Sequence, residues 1–344
     1  MNSQWHDFLA AQGAVFAQDT LVHFGQPEQE LQAASQGTIM ADLSHLGLLQ
    51  VEGDDAVTFL QGQVTNDVRL LDGSISHYAG YCNPKGRLLA LFLAFAHHGR
   101  LHLQLHGGLK EAVLKRLKMY VLRSKVVLTD VSDTVVRLGI AGPGAAALLE
   151  KCFGTVPQVS HALVTLPQAS LLRLPGALPR YEVLCVPEHA AVIWSQLQAA
   201  ATPVGTDAWE WLEIQTGIPD VTPATVEAFV PQMLNLDLLG GINFKKGCYT
   251  GQEIVARTHY LGKVKRRTVL AHLAGERRPL PGEPVHAVDA TEPVGEIVRA
   301  APAPTSGFDA LVEVRGENLT AGQLRWGDNI TLQLLAMPYP LEGQ

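Results

Sequence analysis

The sequence predicts an α+β protein with two α+β lobes followed by a small β-barrel. Three observations carry this assignment. Short apolar, strand-like runs are followed by a segment with helical apolar spacing; that order of elements occurs twice; and beyond residue 265 helical spacing gives way to short β-like runs between Pro- and Gly-rich turns. A chain of 344 residues also exceeds what a single core usually serves. The expected organisation is a region at 1–265, with a boundary between its lobes near 130, and a barrel at 266–344.

In the first lobe, residues 47–51 read as a strand, and Glu52-Gly53-Asp54 supplies a turn with a side-chain acceptor for the amides that open a helix. Ala56, Val57, Phe59 and Leu60 form the apolar face of that helix, and Val64-Thr65-Asn66-Asp67 reads as a loop. Strands at 76–82 and 88–95 flank Asn83-Pro84-Lys85-Gly86-Arg87, whose Pro and Gly make a hairpin the simplest connection. A third strand at 101–105 precedes a helix at 109–122, with Leu109, Val113, Leu114, Leu117 and Val121 on one face and Lys110, Lys115, Arg116 and Lys118 outside it. The second lobe repeats the order: a strand at 135–140, a Gly142-Pro143-Gly144 turn, a helix at 145–153, strands at 170–174 and 181–186, and a helix at 188–200. In the barrel, runs at 269–273, 296–298, 310–314 and 330–335 read as strands, with Pro302 and Pro304 in a loop.

Hydrophobic residues make up 47% of the sequence and charged residues 17%, a balance that supports a packed interior. No basic leader precedes an apolar stretch, and apolar runs stop well short of a membrane span, so the reading is a soluble, cytoplasmic protein. Cys82, Cys152, Cys185 and Cys248 lie far apart without metal-type spacing, which argues for a reducing compartment and against a disulfide framework or a metal site. A net charge of −7 and the absence of aromatic residues between Lys263 and Arg267 weigh against direct nucleic-acid binding. Arg257, Lys263, Lys265, Arg266 and Arg267 form a local basic cluster, read either as an anion site or as a charged strand edge.

The most specific stretch runs from Asn235 to Glu253 and ends in Lys246-Gly247-Cys248-Tyr249-Thr250-Gly251-Gln252-Glu253. Gly247 and Gly251 permit tight backbone geometry that can present Cys248 in a cleft; the alternative is a small buried thiol between Tyr249 and Leu236. Lys246 would favour a thiolate there and Glu253 would oppose it. A flat heterocycle with donors and acceptors along one edge could be met by Asn66, Asp67, Gln252 and Glu253, although Glu253 equally suits the start of a helix.

The signature resembles that of the YgfZ family, folate-binding relatives of the glycine-cleavage T-protein. Gly217-Ile218-Pro219, Phe229-Val230-Pro231-Gln232, Val255-Ala256-Arg257 and the opening Leu46–Ala56 stretch with Thr65-Asn66-Asp67-Val68 support the likeness. The resemblance implies a T-protein-like fold that binds tetrahydrofolate or a one-carbon derivative, with the pterin at Asn66, Asp67, Gln252 and Glu253 and the acidic tail at Arg257 or the cluster from Lys263 to Arg267. It further implies a role for Cys248 in assembly or repair of iron–sulfur enzymes, with radical-SAM tRNA-modifying enzymes as partners. Ala90 and Leu91 stand where the T-protein carboxylates are expected, so aminomethyl transfer loses its proton-handling group. A folate-dependent aminomethyl or methyl transferase and a non-catalytic docking module are the alternatives. Glu213 replaces an expected Arg and would oppose an anionic tail.

Overall fold

The computed structural model describes residues 1–260, 262, 264–288, 290–321 and 323–341. It has an α+β architecture and divides into two compact units. One comprises Met1–Ala56, Arg69–Ser76 and Leu93–Leu212; the other comprises Val57–Val68, His77–Phe92 and the chain from Glu213 onward. The chain passes between them along the strands Ser76–Cys82 and Leu88–His97.

The first unit holds a six-stranded sheet in the order Leu163–Thr165, Ser170–Leu174, Arg180–Cys185, Val136–Ala141, Ile39–Asp42, Thr202–Val204, antiparallel except for its last pair. Helices Ala145–Phe153 and Pro187–Gln198 bury Leu148, Leu149, Ile193, Trp194 and Leu197 in the core that includes Leu138, Ile140, Tyr181 and Val183. The expected helix at 145–153 forms as read, because its apolar spacing is matched by a left-handed Gly154 stop. Gly139 has a packing reason: a Cβ there would meet the Trp209 ring at 2.6 Å.

The strand Leu46–Glu52 pairs antiparallel with Arg100–His106 and Val127–Asp130. The helix expected over 109–122 is shorter, Lys110–Tyr120, since Leu109 belongs to a 3-10 turn and Leu122 takes a left-handed φ of 47°. A second expectation is corrected at Asp54. Its carboxylate lies 3.1 Å from Lys125 Nζ, while the Ala56 amide that opens the helix Ala56–Gln61 donates to the Gly53 carbonyl at 3.1 Å. Arg137 is fully buried, donating to the carbonyls of Leu46 and Gly47 and to Gln104, which in turn donates to Glu182 at 2.6 Å. The buried charge is thus met by acceptors on neighbouring strands.

The second unit contains a closed barrel in the order Arg266–Leu273, Phe308–Arg315, Gly295–Pro302, Pro284–Ala287, Leu324–Trp326, Ile330–Leu335. Val269, Ala271, Ile297, Val312 and Trp326 lie in its core. Two of these strands, Pro284–Ala287 and Leu324–Trp326, were not expected, because each is short and mixes polar residues among the apolar ones. Pro302 closes a strand rather than lying in a loop, pairing with Phe308.

Burial pushes the imidazoles of His97, His102 and His161 in the first unit down to about 4 from the usual 6.5, with His98 reinforcing the effect on His97, and His97 that on His102. The unfolded chain therefore binds more protons than the folded one between those values. Stability should be full above pH 6.5 and fall as pH drops toward 4. Thermal melts across that range are expected to show a falling Tm, and His102→Gln should show a shallower dependence than the wild type; equal slopes would remove His102 from this account.

Candidate functional site

The signature loop is organised by a buried ammonium. Lys246 is only 5% exposed, and its Nζ donates to the carbonyls of Gln61 and Asn66, each at 2.8 Å, and to that of Val64. It also lies 5.1 Å from the centroid of the Tyr249 ring. These carbonyls sit where the helix Ala56–Gln61 unwinds and lack the acceptor role a longer helix would give them. The Thr250 amide adds a bond to the Gly62 carbonyl at 3.3 Å. Two segments far apart in sequence, 57–68 and 243–250, are thereby joined within the second unit.

Asn66 and Thr65 extend this joint. Asn66 Nδ2 donates to the carbonyls of Tyr78 and Gly240, both at 2.8 Å, and its Oδ1 accepts from the Asp67 amide at 2.9 Å. Expected as a pterin contact, Asn66 has both amide hydrogens engaged inside the protein. Thr65, which sequence reasoning left unassigned, donates to the Gly241 carbonyl and accepts from the Gly80 amide. Gly80 is confined by this packing, since a Cβ would stand 2.7 Å from Leu88. Asp67 is buried, and Gln61 carries a buried Nε2 with no hydrogen-bond partner among the described residues, while its Oε1 accepts from the Val68 amide.

Gly251 has a left-handed φ of 86°, and a Cβ there would lie 2.5 Å from the Asn83 carbonyl and 2.9 Å from Gly86. The Asn83–Arg87 hairpin tip thus rests on the signature backbone, with Asn83 donating to Glu227 at 2.9 Å. Gln252 and Glu253 open the helix Gln252–Tyr260; Gln252 is half-buried, whereas Glu253 and Arg257 are exposed. Gly247 is exposed as well, and a Cβ added there would enter open space.

All four cysteines are free, and Cys248 is the exposed one. The alternative of a thiol packed between Tyr249 and Leu236 is therefore excluded. Lys246, expected to act on the thiol, instead directs its ammonium at backbone carbonyls. Burial pushes the thiols of Cys82 and Cys185 up to about 12, so neither ionises at neutral pH. Cys152 is half-buried. Among the described residues no group of three or more His, Cys, Asp or Glu is placed to hold a metal ion.

The basic cluster is largely consumed. Arg267 is buried and forms a two-pronged pair with Asp237, one arm at 2.9 Å, while Arg266 pairs in the same way with Glu313. Arg266 is paired within the barrel and Arg267 ties its strand to the Gln232–Asp237 segment, so both guanidiniums are engaged by protein acceptors rather than held open for an anion; Lys263 lies outside the described residues. Arg257 and Lys265 stay exposed. Glu213 lies 3.4 Å from Arg299 of the barrel, so its carboxylate has a structural counter-charge. Ala90 and Leu91 are buried and offer no titratable group. The arrangement presents an exposed thiol on a loop fastened through Lys246 to the segment carrying Asn66 and Asp67.

The model of the GCVT N-terminal domain matches residues 5–243. The tRNA-modifying protein YgfZ of Sodalis glossinidius (strain morsitans) is 33% identical over 250 residues, covering 73% of this chain and 75% of the relative. The protein of the same description from Hamiltonella defensa subsp. Acyrthosiphon pisum is 37% identical over 227 residues, covering 65% and 67%. Among solved structures, the glycine cleavage system aminomethyltransferase T from Bartonella henselae is similar with a TM-score of 0.75 over 98% of this chain and 97% of that one, at 18% identity. That last likeness establishes a shared fold.

Lys246→Met keeps the aliphatic stem and removes the ammonium, leaving the carbonyls of Gln61, Val64 and Asn66 without their donor. The expected loss is about 2–4 kcal/mol, with faster amide hydrogen exchange in 61–67 than in the barrel strands. Unchanged exchange in that loop would show that the ammonium does not hold it.

Proposed function

The chain belongs to the YgfZ family of proteins with a GCVT N-terminal domain, and from this premise we propose that it binds tetrahydrofolate or a one-carbon derivative and supports assembly or repair of iron–sulfur enzymes, including those that modify tRNA. The observation that carries the proposal is the free, exposed thiol of Cys248 on a loop that Lys246 fastens to the Asn66–Asp67 segment. Iron–sulfur enzymes such as radical-SAM tRNA-modifying enzymes are the proposed partners, in the cytoplasm; no helix among the described residues is long and apolar enough to cross a membrane.

The residues fit a reduced folate on one independent ground. Gln61 Nε2 is a buried donor without a partner among the described residues, on the segment that also carries Asp67, and a pterin edge offers the acceptor it lacks. Asp67, Gln252 and Glu253 would complete recognition of the heterocycle, Arg257 would meet the tail carboxylates, and Asn66 would position the loop through Tyr78 and Gly240. Bound folate would supply a carrier for one-carbon units. The protein's own contribution is a fixed polar wall and a soft ligand: Cys248 can take transient hold of sulfur or iron that is the cargo of the process. Buried Ala90 and Leu91 favour this reading over an aminomethyl or methyl transferase, since neither can accept a proton.

Cys248→Ser is nearly isosteric at an exposed position, so it should change melting and reduced-folate affinity by less than about two-fold in Kd. Support of tRNA thiolation in cells lacking the protein should be lost. In the native protein an alkylating reagent should label Cys248 and spare Cys82 and Cys185. Full support by Cys248→Ser would exclude the thiol from the function and leave the signature a purely conformational role.

A further inference from the structure

The first unit carries a surface patch that the proposed function leaves unused. It lies where the helix Lys110–Tyr120 ends and the chain turns toward the strand Val127–Asp130. Leu122 is 88% exposed there and Met119 is 59% exposed, with Tyr120 and Val127 also open to solvent. Leu122 moreover has a φ of 47°, a backbone region that residues with side chains rarely adopt. An apolar side chain held in water on an unfavourable backbone contributes nothing to folding.

The tip is fixed rather than loose. The Lys125 amide donates to the Asp55 carboxylate at 2.8 Å, Lys125 Nζ pairs with Asp54 at 3.1 Å, and the Ser124 amide donates to the Val121 carbonyl at 2.8 Å. Gly53 lets the chains approach so closely that a Cβ there would stand 2.2 Å from the Lys125 carbonyl oxygen. Leu122 is therefore presented in one place, which lowers the ordering cost of any contact it makes.

Charge surrounds it. Lys115, Lys118 and Arg123 are exposed and form no ion pair among the described residues, whereas Lys110 and Lys125 are matched by Asp130 and Asp54. The Arg116 guanidinium lies 5.8 Å from the centroid of the Tyr120 ring. In a chain of net charge −7 this is a concentrated region of opposite sign. A favourable interaction with the helix C-terminus accounts for Lys118, but not for Arg123 beyond it or for the apolar residues between them.

We propose that this patch is the docking surface for an acidic protein partner, with Leu122 inserted into an apolar pocket of that partner and Lys115, Lys118 and Arg123 forming the charged rim. A phosphate backbone would engage the cations yet leave Leu122 and Met119 in water. A bilayer would need a broader apolar face than this helix offers, because Val113 and Leu117 are turned into the protein. A protein surface rewards both features, the apolar centre through burial and the unpaired rim through steering and orientation.

The partner tested is a radical-SAM tRNA-modifying iron–sulfur enzyme with an acidic surface, purified anaerobically, a choice that rests on the proposed function. Its association with the full chain is measured for wild type, Leu122→Gly, Leu122→Asp and Lys118→Glu/Arg123→Glu, with reduced-folate titrations in parallel. Leu122→Gly relieves the positive φ while removing the anchor, so it should melt no lower than wild type and still dock about ten-fold more weakly. The two acidic variants should lose at least as much, wild-type docking should weaken with salt, and folate affinity should be the same in all four proteins. Equal docking by wild type and Leu122→Gly, or no docking by wild type, overturns the inference. Leu122-dependent binding to a tRNA transcript or to phosphatidylglycerol vesicles in place of the enzyme overturns it too. Loss of Leu122 dependence with folate binding intact counts against this surface alone, whereas Leu122-dependent docking without folate binding sustains the surface and counts against the folate reading.

Discussion

The candidate site depends on the burial of one ammonium group. An amine removed from water is costly, and the cost is offset only where several acceptors converge on it. Lys246 finds three carbonyls, at Gln61, Val64 and Asn66, in the segment that follows a helix too short to use them itself. Each partner needs the other: the carbonyls need a donor and the charge needs acceptors. The positions of Asn66 and Asp67 on one side, and of Cys248 and Tyr249 on the other, follow from that mutual requirement.

Around this joint, hydrogen bonds of Thr65 and Asn66 to the Gly240-Gly241 backbone remove any slack, and glycine is required where the chains approach most closely. Gly251 sits against the carbonyl of Asn83 in a left-handed conformation, so the hairpin tip and the signature loop share one contact surface. A rigid support of this kind leaves Cys248 exposed without leaving it unplaced. Cys248 is positioned by the backbone around it, and its thiol is free and exposed.

Charge is divided between structure and surface. Arg266 and Arg267 sit side by side in the sequence, alternate across the strand and pair with different acids, Glu313 and Asp237. Arg299 does the same for Glu213. Once these pairs are set aside, the exposed cations include Arg257 and Lys265 in the second unit, and Lys115, Lys118 and Arg123 in the first. The clustering of positive charge along the chain therefore did not show that Arg266 and Arg267 are paired with acids while Lys115, Lys118 and Arg123 at the end of the helix Lys110–Tyr120 are exposed.

Much of the fold was legible in the sequence because it rests on local periodicity and turn chemistry. The helix over Ala145–Phe153, the strands Ser76–Cys82 and Ser170–Leu174, and the hairpin at Asn83–Arg87 follow from apolar spacing and from Gly and Pro at turn positions. The signature around Cys248 was equally visible, since its residues are contiguous. Only the tertiary structure decided what those residues touch. A lysine beside a cysteine reads as an electrostatic neighbour, yet its long stem carries the ammonium to carbonyls some 180 positions away in sequence. Likewise Asn66 reads as a ligand contact but is hydrogen-bonded to Tyr78 and Gly240, and Leu122 reads as the last turn of a helix but stands in solvent. Spacing along the chain records which face a residue takes, whereas partners distant in sequence are set by packing, where a polar group must find whatever acceptors the fold brings to it.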